Sequence, residues 1–185
     1  MLPTQQNLYI RARGFYHTGY QNGSYSIVES VRNAYIAYNG VDFDFDGDKL
    51  SDVAIWNPNS HNWYTLQSTN STTRVQLDWG NGSLSDIPVP ADYDGDGCAD
   101  IAVFRPSEGN WYILNSANNT VTVQNWGVST DKLVAADYDG DGRADIAVWR
   151  PSEGNWYIIR SATGTTSVFY LGTSTDVPVP STVVR

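Results

Sequence analysis

The chain has 185 residues and a formal net charge of −9, a length that can hold one domain with its own core or a string of small repeats that share one. The negative charge argues against nucleic acid as a partner, because binding to phosphates needs clustered Lys and Arg. Cys98 is the only cysteine, which excludes an intrachain disulfide, and no run of 18 apolar residues occurs, so no membrane span is predicted.

The composition predicts an all-β fold. Aromatic residues make up 13% of the chain and charged residues 17%, and Trp, Tyr, Val, Ile and Thr are common while Met is nearly absent, which favours strands over helices. In the N-terminal segment, residues 1–40, Leu8–Tyr16 and Ser24–Val31 are strand-like, and turn residues lie between them. We predict that these two strands form a hairpin.

An internal repeat follows this segment. Ala-Asp-Tyr-Asp-Gly-Asp-Gly occurs at 91–97 and again at 136–142, an offset of 45 residues. The match continues through the next thirteen-residue run, from Ile101 and from Ile146, with a single aromatic exchange. Such identity at a fixed offset is the signature of a repeat architecture.

A third, more divergent copy begins upstream at Asp44, at an offset of 48. Near the C-terminus, Val177-Pro-Val-Pro180 repeats the beginning of a fourth copy, but no aspartate-rich loop follows it. The predicted organisation of residues 41–180 is three repeats, followed by a C-terminal strand end. Their approximate bounds are 41–88, 89–133 and 134–180, with the strand end at 181–185.

Each repeat is predicted to contain four short strands. In the second repeat these are Val89–Tyr93, Ile101–Arg105, Trp111–Leu114 and Val121–Trp126. Pro106 and Gly109 favour a hairpin turn between the second and third strands, whereas the divergent copy has His61 in place of the glycine, so its turn need not be the same.

The second strands are apolar at successive positions, which indicates that neighbouring sheets cover both of their faces. Stacked four-stranded antiparallel sheets of about 45 residues are the blades of a β-propeller. The predicted fold is therefore all-β, with three complete propeller-type blades and a partial blade shared between the N- and C-terminal segments.

Each repeat contains a loop with aspartate at positions 1, 3, 5 and 9. These residues are Asp44, Asp46, Asp48 and Asp52; Asp92, Asp94, Asp96 and Asp100; and Asp137, Asp139, Asp141 and Asp145. Hard oxygen ligands at alternate positions of a tightly curled loop suit Ca²⁺, which takes six to eight oxygens, better than Mg²⁺, which prefers a strict octahedron. A zinc site would need several Cys and His, and the chain has one Cys and two His.

Position 7 of the loop varies as Leu50, Cys98 and Arg143, as expected if this position offers only its backbone carbonyl to the ion. The alternative is that these loops are merely polar turns. Against it, carboxylates held a few ångströms apart repel by about a kcal/mol or more per pair. We therefore predict about three Ca²⁺ ions per chain.

The pattern Asp-Tyr-Asp-Gly-Asp-Gly-X-X-Asp followed by Ile-Ala-Val-Phe resembles the FG-GAP or VCBS repeats, the class that includes the propeller of integrin α-subunits. The resemblance covers roughly residues 41–180. It implies a β-propeller with Ca²⁺ loops between the first and second strands of each blade. It also implies an extracellular or cell-surface location and adhesion to proteins or sugars.

The function favoured by these features is a non-enzymatic structural or adhesive module in which calcium rigidifies the blade loops. The C-terminal segment 177–185 has the character of an unpaired first strand. Pairing with the N-terminal hairpin within one chain would close a small ring, and pairing between chains would give an oligomer or a filament. Of the two, we favour assembly.

A calcium-dependent lectin is the alternative, because Asn-Trp-Tyr recurs at 62–64, 110–112 and 155–157 and aromatic rings stack on sugars. The fixed place of these rings in the repeat favours a role in the blade core instead. No catalytic residue is predicted, since Glu108 and Glu153 fall in hairpin turns and neither histidine has a neighbouring Ser or Cys nucleophile.

Overall fold

The computed structural model describes residues 42–76 and 78–179, together with the backbone of residues 7–17 and 25–35. The chain divides into two compact units, residues 1–38 and residues 39–185. In the first unit, β1 (Asn7–His17) pairs antiparallel with β2 (Tyr25–Tyr35). The C-terminal segment beyond residue 179, which includes the predicted strand end, lies outside the described residues.

The described residues of the second unit form three antiparallel sheets, which we call the first, second and third blades. The first blade is β3 (Val53–Asn57), β4 (Asn62–Leu66) and β5 (Thr73–Gln76). The second is β6 (Ile87–Pro88), β7 (Ile101–Arg105), β8 (Asn110–Leu114) and β9 (Val121–Asn125). The third is β10 (Lys132–Leu133), β11 (Ile146–Arg150), β12 (Asn155–Ile159) and β13 (Thr166–Tyr170).

The all-β prediction is confirmed: the described residues contain no α-helix, only a 3₁₀ turn at Gly82–Leu84. The short first strand of the second blade begins at Ile87 rather than at Val89. Beyond it, Ala91 forms an isolated antiparallel bridge with Asp100, the residue before β7. The first blade shows three strands within the described range, so one edge of β3 has no strand beside it there.

The residue that precedes β4, β8 and β12 has a left-handed backbone conformation in all three blades. Gly109 and Gly154 both adopt a φ of 68°, and His61 adopts 58°, the left-handed conformation that glycine takes easily and a side chain takes at a cost. In each blade the carbonyl of this residue accepts a hydrogen bond from an amide just after the last strand. The donors are the amides of Trp79, Trp126 and Leu171. The histidine therefore keeps the left-handed conformation and this hydrogen bond. The turn itself is held differently, since Asn57 Oδ1 accepts from Asn59 N and Ser60 N, whereas the backbone carbonyls of Arg105 and Arg150 accept the turn amides in the other two blades.

The cores of the blades are formed by the second and third strands. Ala102, Val103 and Phe104 are buried in succession, as the run of apolar residues predicted. Trp111 is buried completely, and its indole Nε1 donates to Trp126 O at 2.9 Å. Val148 of the third blade belongs to the same buried cluster as Phe104 and Trp111 of the second, so consecutive blades share one core.

An arginine in the second strand fastens the chain segment that links one blade to the next. Arg105 donates from Nε and Nη2 to the two carboxylate oxygens of Asp86, at 2.8 and 3.0 Å, and the aspartate side chain is fully buried. The guanidinium also lies 4.6 Å above the ring of Tyr112. Arg150 and Asp131 repeat the arrangement one blade later. Paired planar contacts of this kind are strong because both partners are charged.

Consecutive blades approach closely at a glycine. Gly127 has a φ of 92°, and a Cβ at this position would lie 3.0 Å from Val148 Cγ1 in the next blade and 3.3 Å from Asp131 Oδ2. Gly80 stands in the same relation to Val103. The contact between blades therefore requires a residue without a side chain.

Replacing Gly127 by Ala is expected to destabilise the chain more than replacing Gly164 by Ala. Both substitutions place a side chain at a positive φ, at a cost of about 1–2 kcal/mol, but a Cβ at Gly164 meets no atom within 4 Å. Only Gly127→Ala crowds the next blade, which adds roughly 1–3 kcal/mol. Urea unfolding of the two variants measures the difference, and equal midpoints would contradict the close contact.

Candidate metal centres

The three aspartate-rich loops lead into equivalent strands of the three blades, namely β3, β7 and β11. In the first blade, β3 corresponds to the second strand of the other two blades. We call them loop 1 (44–52), loop 2 (92–100) and loop 3 (137–145). Loops 2 and 3 lie between the first and second strands of their blades, as the family resemblance implied. The fourth residue of each loop is a glycine with a φ between 81° and 85°, which allows the backbone to turn sharply after the second aspartate.

The aspartate at position 1 curls the loop around its own side chain. In loop 2, Asp92 Oδ1 accepts from Gly95 N at 2.6 Å and Oδ2 accepts from Gly97 N at 2.9 Å. Asp44 and Asp137 accept from the amides at the same two positions of their loops. Each of these carboxylates thus holds two backbone amides that the tight turn would otherwise leave without a partner.

The aspartate at position 9 closes the loop against its own blade. Asp100 Oδ2 accepts from Tyr93 N and Asp94 N, at 2.8 and 3.2 Å, and Oδ1 accepts from Ser116 N at 2.7 Å. Ser116 lies in the turn between β8 and β9, so this one side chain joins two loops of the blade. Asp52 and Asp145 make the equivalent contacts, and all three side chains are buried.

Three carboxylates converge in each loop, with one oxygen of each within 4.8 Å of the others. The clusters are Asp44, Asp46 and Asp48; Asp92, Asp94 and Asp96; and Asp137, Asp139 and Asp145. Of the twelve predicted aspartates, the structure leaves Asp52, Asp100 and Asp141 outside these clusters. Asp141 is drawn aside because its Oδ2 accepts from Nε and Nη2 of Arg143, at 3.1 and 2.9 Å.

Position 7 has a role that its sequence variability concealed. A Cβ at Gly47 would lie 3.1 Å from Cys98 Sγ, and one at Gly95 would lie 2.7 Å from Arg143 Cγ. The side chain at position 7 of one loop therefore lies against the glycine of the loop before it. Leu50, in loop 1, is exposed.

A backbone hydrogen bond also joins each loop to the previous one. Ala99 N donates to Asp44 O at 2.5 Å, and Ala144 N donates to Asp92 O at 2.6 Å. Because the acceptor is the first aspartate of the earlier loop, the three candidate centres form a connected row.

The environment of loop 2 disfavours negative charge in the absence of a cation. Burial raises the pKa of Asp92 to about 6, and repulsion from Asp100 and Asp96 adds to the effect. Burial likewise raises the pKa of Asp100 and of Asp145. A group of anionic oxygens that resists ionisation in this way is a site in which a hard cation lowers the free energy.

Cys98 does not act as a thiolate. Burial, followed by the negative charges of Asp96, Asp44 and Asp92, raises the pKa of its thiol to about 11. The thiol therefore stays protonated at neutral pH, and protonated sulfur is a poor metal ligand. The donor atoms available in all three loops are oxygens.

The recurring Asn-Trp-Tyr residues are structural in the second blade. Trp111 is fully buried, and only 2% of the surface of Trp63 in the first blade is exposed. The hydroxyl of Tyr112 donates to Glu108 Oε2 in the hairpin turn, and Asn110 Nδ2 donates to the same carboxylate. These two indole rings lie within the blade core and offer no exposed platform to a sugar.

Comparison with known families agrees with the repeat read from the sequence. The profile of the FG-GAP-like repeat matches residues 44–103 and 92–148, and that of the FG-GAP repeat matches residues 130–171. These ranges include all three loops. Curated proteins and solved structures gave no significant match. Among the described residues, no helix is long and apolar enough to cross a membrane.

The apparent affinity of the chain for Ca²⁺ is expected to rise as the pH increases from about 5 to 7. The folded-state pKa of Asp92 is about 6, so the ion must displace a proton below that pH and competes with none above it. By the same linkage, ionisation of Asp92 lowers the stability of the cation-free chain as the pH rises from about 4 to 6.

Calcium titrations followed by calorimetry over this pH range measure the first effect, and thermal unfolding in chelator measures the second. Asp92→Asn removes the titrating group, so calcium binding at loop 2 should no longer depend on pH over this range. A calcium affinity independent of pH between 5 and 7 would contradict the assignment.

Proposed function

The chain belongs to the FG-GAP repeat family, and on this premise we propose that it is a non-enzymatic, calcium-binding β-propeller-type module for structural assembly or adhesion. Its proposed location is extracellular or at the cell surface, as is typical of such repeats. The observation that carries the proposal is the convergence of three carboxylates in each of three equivalent loops.

The proposed ligands are side-chain oxygens of the twelve loop aspartates together with the backbone carbonyls of Leu50, Cys98 and Arg143. Calcium, when bound, supplies the positive charge that offsets the mutual repulsion of the carboxylates. The chain itself supplies the curvature: the first aspartate curls each loop and the ninth holds it closed. The site is thus organised by hydrogen bonds within the chain.

Ordering these loops would stiffen one end of each blade. Asp94 Oδ2 accepts from Ala117 N at 3.1 Å, and Asp96 Oδ1 accepts from Ser116 Oγ at 3.1 Å, so loop 2 already contacts the turn between the third and fourth strands. An ion that fixes these carboxylates would fix both connections of the blade together. A rigid blade end is what an assembly or adhesion surface requires.

Self-association through the terminal segments is part of the proposal. Val177 and Val179 are exposed, and in the described residues they belong to no strand. Val177 and Pro178 correspond to Ile87 and Pro88, which pair with Phe104 and Val103 of the second blade. The equivalent partners in the first blade are Trp56 and Ile55 of β3. The lectin alternative loses support because Trp63 and Trp111 are buried and Trp156, although partly exposed, packs against the core of the third blade.

Calcium binding is expected at about three ions per chain and is expected to raise the melting temperature, because a ligand that binds only the folded state stabilises it. Asp46→Asn, Asp94→Asn and Asp139→Asn should each lower the stoichiometry by one ion. Isothermal titration calorimetry counts the ions, and circular dichroism in calcium and in chelator follows the unfolding.

Asp78→Asn is the matched control, because the Asp78 side chain is 85% exposed and lies outside the loops. It should bind as many ions as the unmodified chain. An unchanged melting temperature in calcium and chelator, with no heat of binding, would refute the proposal.

A further inference from the structure

The two contacts between consecutive blades, which we call joints, are built in the same way. In each joint a valine at the centre of the second strand, Val103 or Val148, meets a glycine of the preceding blade, Gly80 or Gly127. At most 1% of the surface of either valine is exposed. The joint therefore has a valine side, on the later blade, and a glycine side, on the earlier blade.

The side of the first blade that corresponds to the valine side of a joint is open. Ile55 occupies the place of Val103 and Val148 but is 62% exposed, and Val53 occupies the place of Ile101 and is 67% exposed. Nothing in their own strand explains this difference, since β3 pairs with β4 in the same register as β7 pairs with β8. In the described residues, no preceding blade covers these two side chains.

The glycine side of the third blade is open as well. Gly172 occupies the place of Gly80 and Gly127, with a φ of 109°, and a Cβ there would lie 3.2 Å from Trp149 of its own blade, as one at Gly80 would lie 3.1 Å from Trp56. The neighbouring Leu171 is 68% exposed. The glycine and the aromatic wall of the joint are present, but no described residue supplies the branched side chain that fills the internal joints.

Across an internal joint, the residue equivalent to Leu171 reaches the next blade. Trp126 Nε1 donates to Tyr157 O at 3.1 Å, from the second blade to the third. Leu171 stands at the corresponding position of the third blade, so its side chain points to the surface where a following blade would pack. Its exposure is that of a joint residue without a neighbour.

We propose that these two open sides are complementary and that a second copy of this chain joins them, with Ile55 of one copy against Gly172 of the other. The inference rests on the proposed propeller-type blades and identifies the surface through which the module assembles. The occupant is a second copy because the internal joints show this sequence binding itself with a branched aliphatic side chain and a glycine at the same positions.

Closure determines the number of copies. A contact between two different sides gives a ring if the rotation closes and a filament if it does not. The described residues of each copy form three blades, and propellers close with four to eight. Two copies supply six blades and lie inside this range, whereas three copies supply nine. The expected assembly is a closed dimer with two identical joints.

The joint between copies lacks one contact of the internal joints. Asp176 stands where Asp86 and Asp131 bind their arginines, but the first blade has Asn57 in the place of Arg105 and Arg150. Replacing Asn57 by Arg should therefore tighten the dimer, by about tenfold or more given the strength of charge-assisted pairs. Adding Asp176→Asn to that variant should remove the gain.

Sedimentation velocity in calcium tests the proposal on the full chain. The unmodified protein should sediment at twice the chain mass of 20.5 kDa, and Ile55→Glu and Leu171→Glu should each sediment as monomers. Val121→Glu is the matched control, since Val121 is 54% exposed and lies on the second blade, and this variant should remain dimeric. All of these positions are exposed, so folding is expected to survive the changes.

Mixing the two monomeric variants makes the test specific for a contact between different sides. A dimer of Ile55→Glu with Leu171→Glu contains one joint with neither substitution, so the mixture should regain dimers that neither variant forms alone. A monomeric unmodified chain, or an Ile55→Glu variant as dimeric as Val121→Glu, would overturn the proposal.

Calcium stoichiometry measured on the same samples separates this inference from the proposed function. A monomer that binds three ions overturns the dimer and leaves the calcium module standing. A dimer that binds none retains the joint and refutes the calcium-binding function.

Discussion

Each aspartate loop depends on a buried carboxylate whose two oxygens accept backbone amides from different parts of the blade. In loop 2 this is Asp100, which binds Tyr93 N within the loop and Ser116 N in the turn between β8 and β9. Burying a carboxylate is costly unless hydrogen bonds replace the lost water, and losing it would leave buried amides unsatisfied at about 1–3 kcal/mol each. The contact thus closes the loop and fastens it to the sheet at once.

This anchoring allows the remaining aspartates to face one another. The first aspartate curls the loop, the ninth closes it, and the third and fifth are left to converge with the first in loops 1 and 2. In loop 3 the guanidinium of Arg143 holds Asp141, and Asp145 joins the cluster in its place. The same backbone therefore accommodates different carboxylate sets, because the curvature comes from the hydrogen bonds that the first and ninth aspartates accept from the main chain.

The stacking of blades connects the loops to one another. Ala99 and Ala144 donate to the first aspartate of the preceding loop, and Cys98 and Arg143 lie against its glycine. In repeat proteins stability is carried by such contacts between neighbours as well as within each unit. The same logic makes the end blades special, since Ile55 and Leu171 keep the character of joint residues while their side chains remain exposed.

The amino-acid sequence alone determined the repeat, the all-β class, the places of the second, third and fourth strands, and the three loops, because strand patterning and turn residues report local structure. It did not reveal that His61 adopts the left-handed conformation of a glycine, that Cys98 covers the loop before it, or that Arg105 pairs with Asp86. The last pair had a signal in the sequence, since Asp86 and Arg105 recur together as Asp131 and Arg150. Only the tertiary structure decided these contacts and left Ile55 and Gly172 open, because they join residues of different strands and different blades whose distances are set by how the sheets stack.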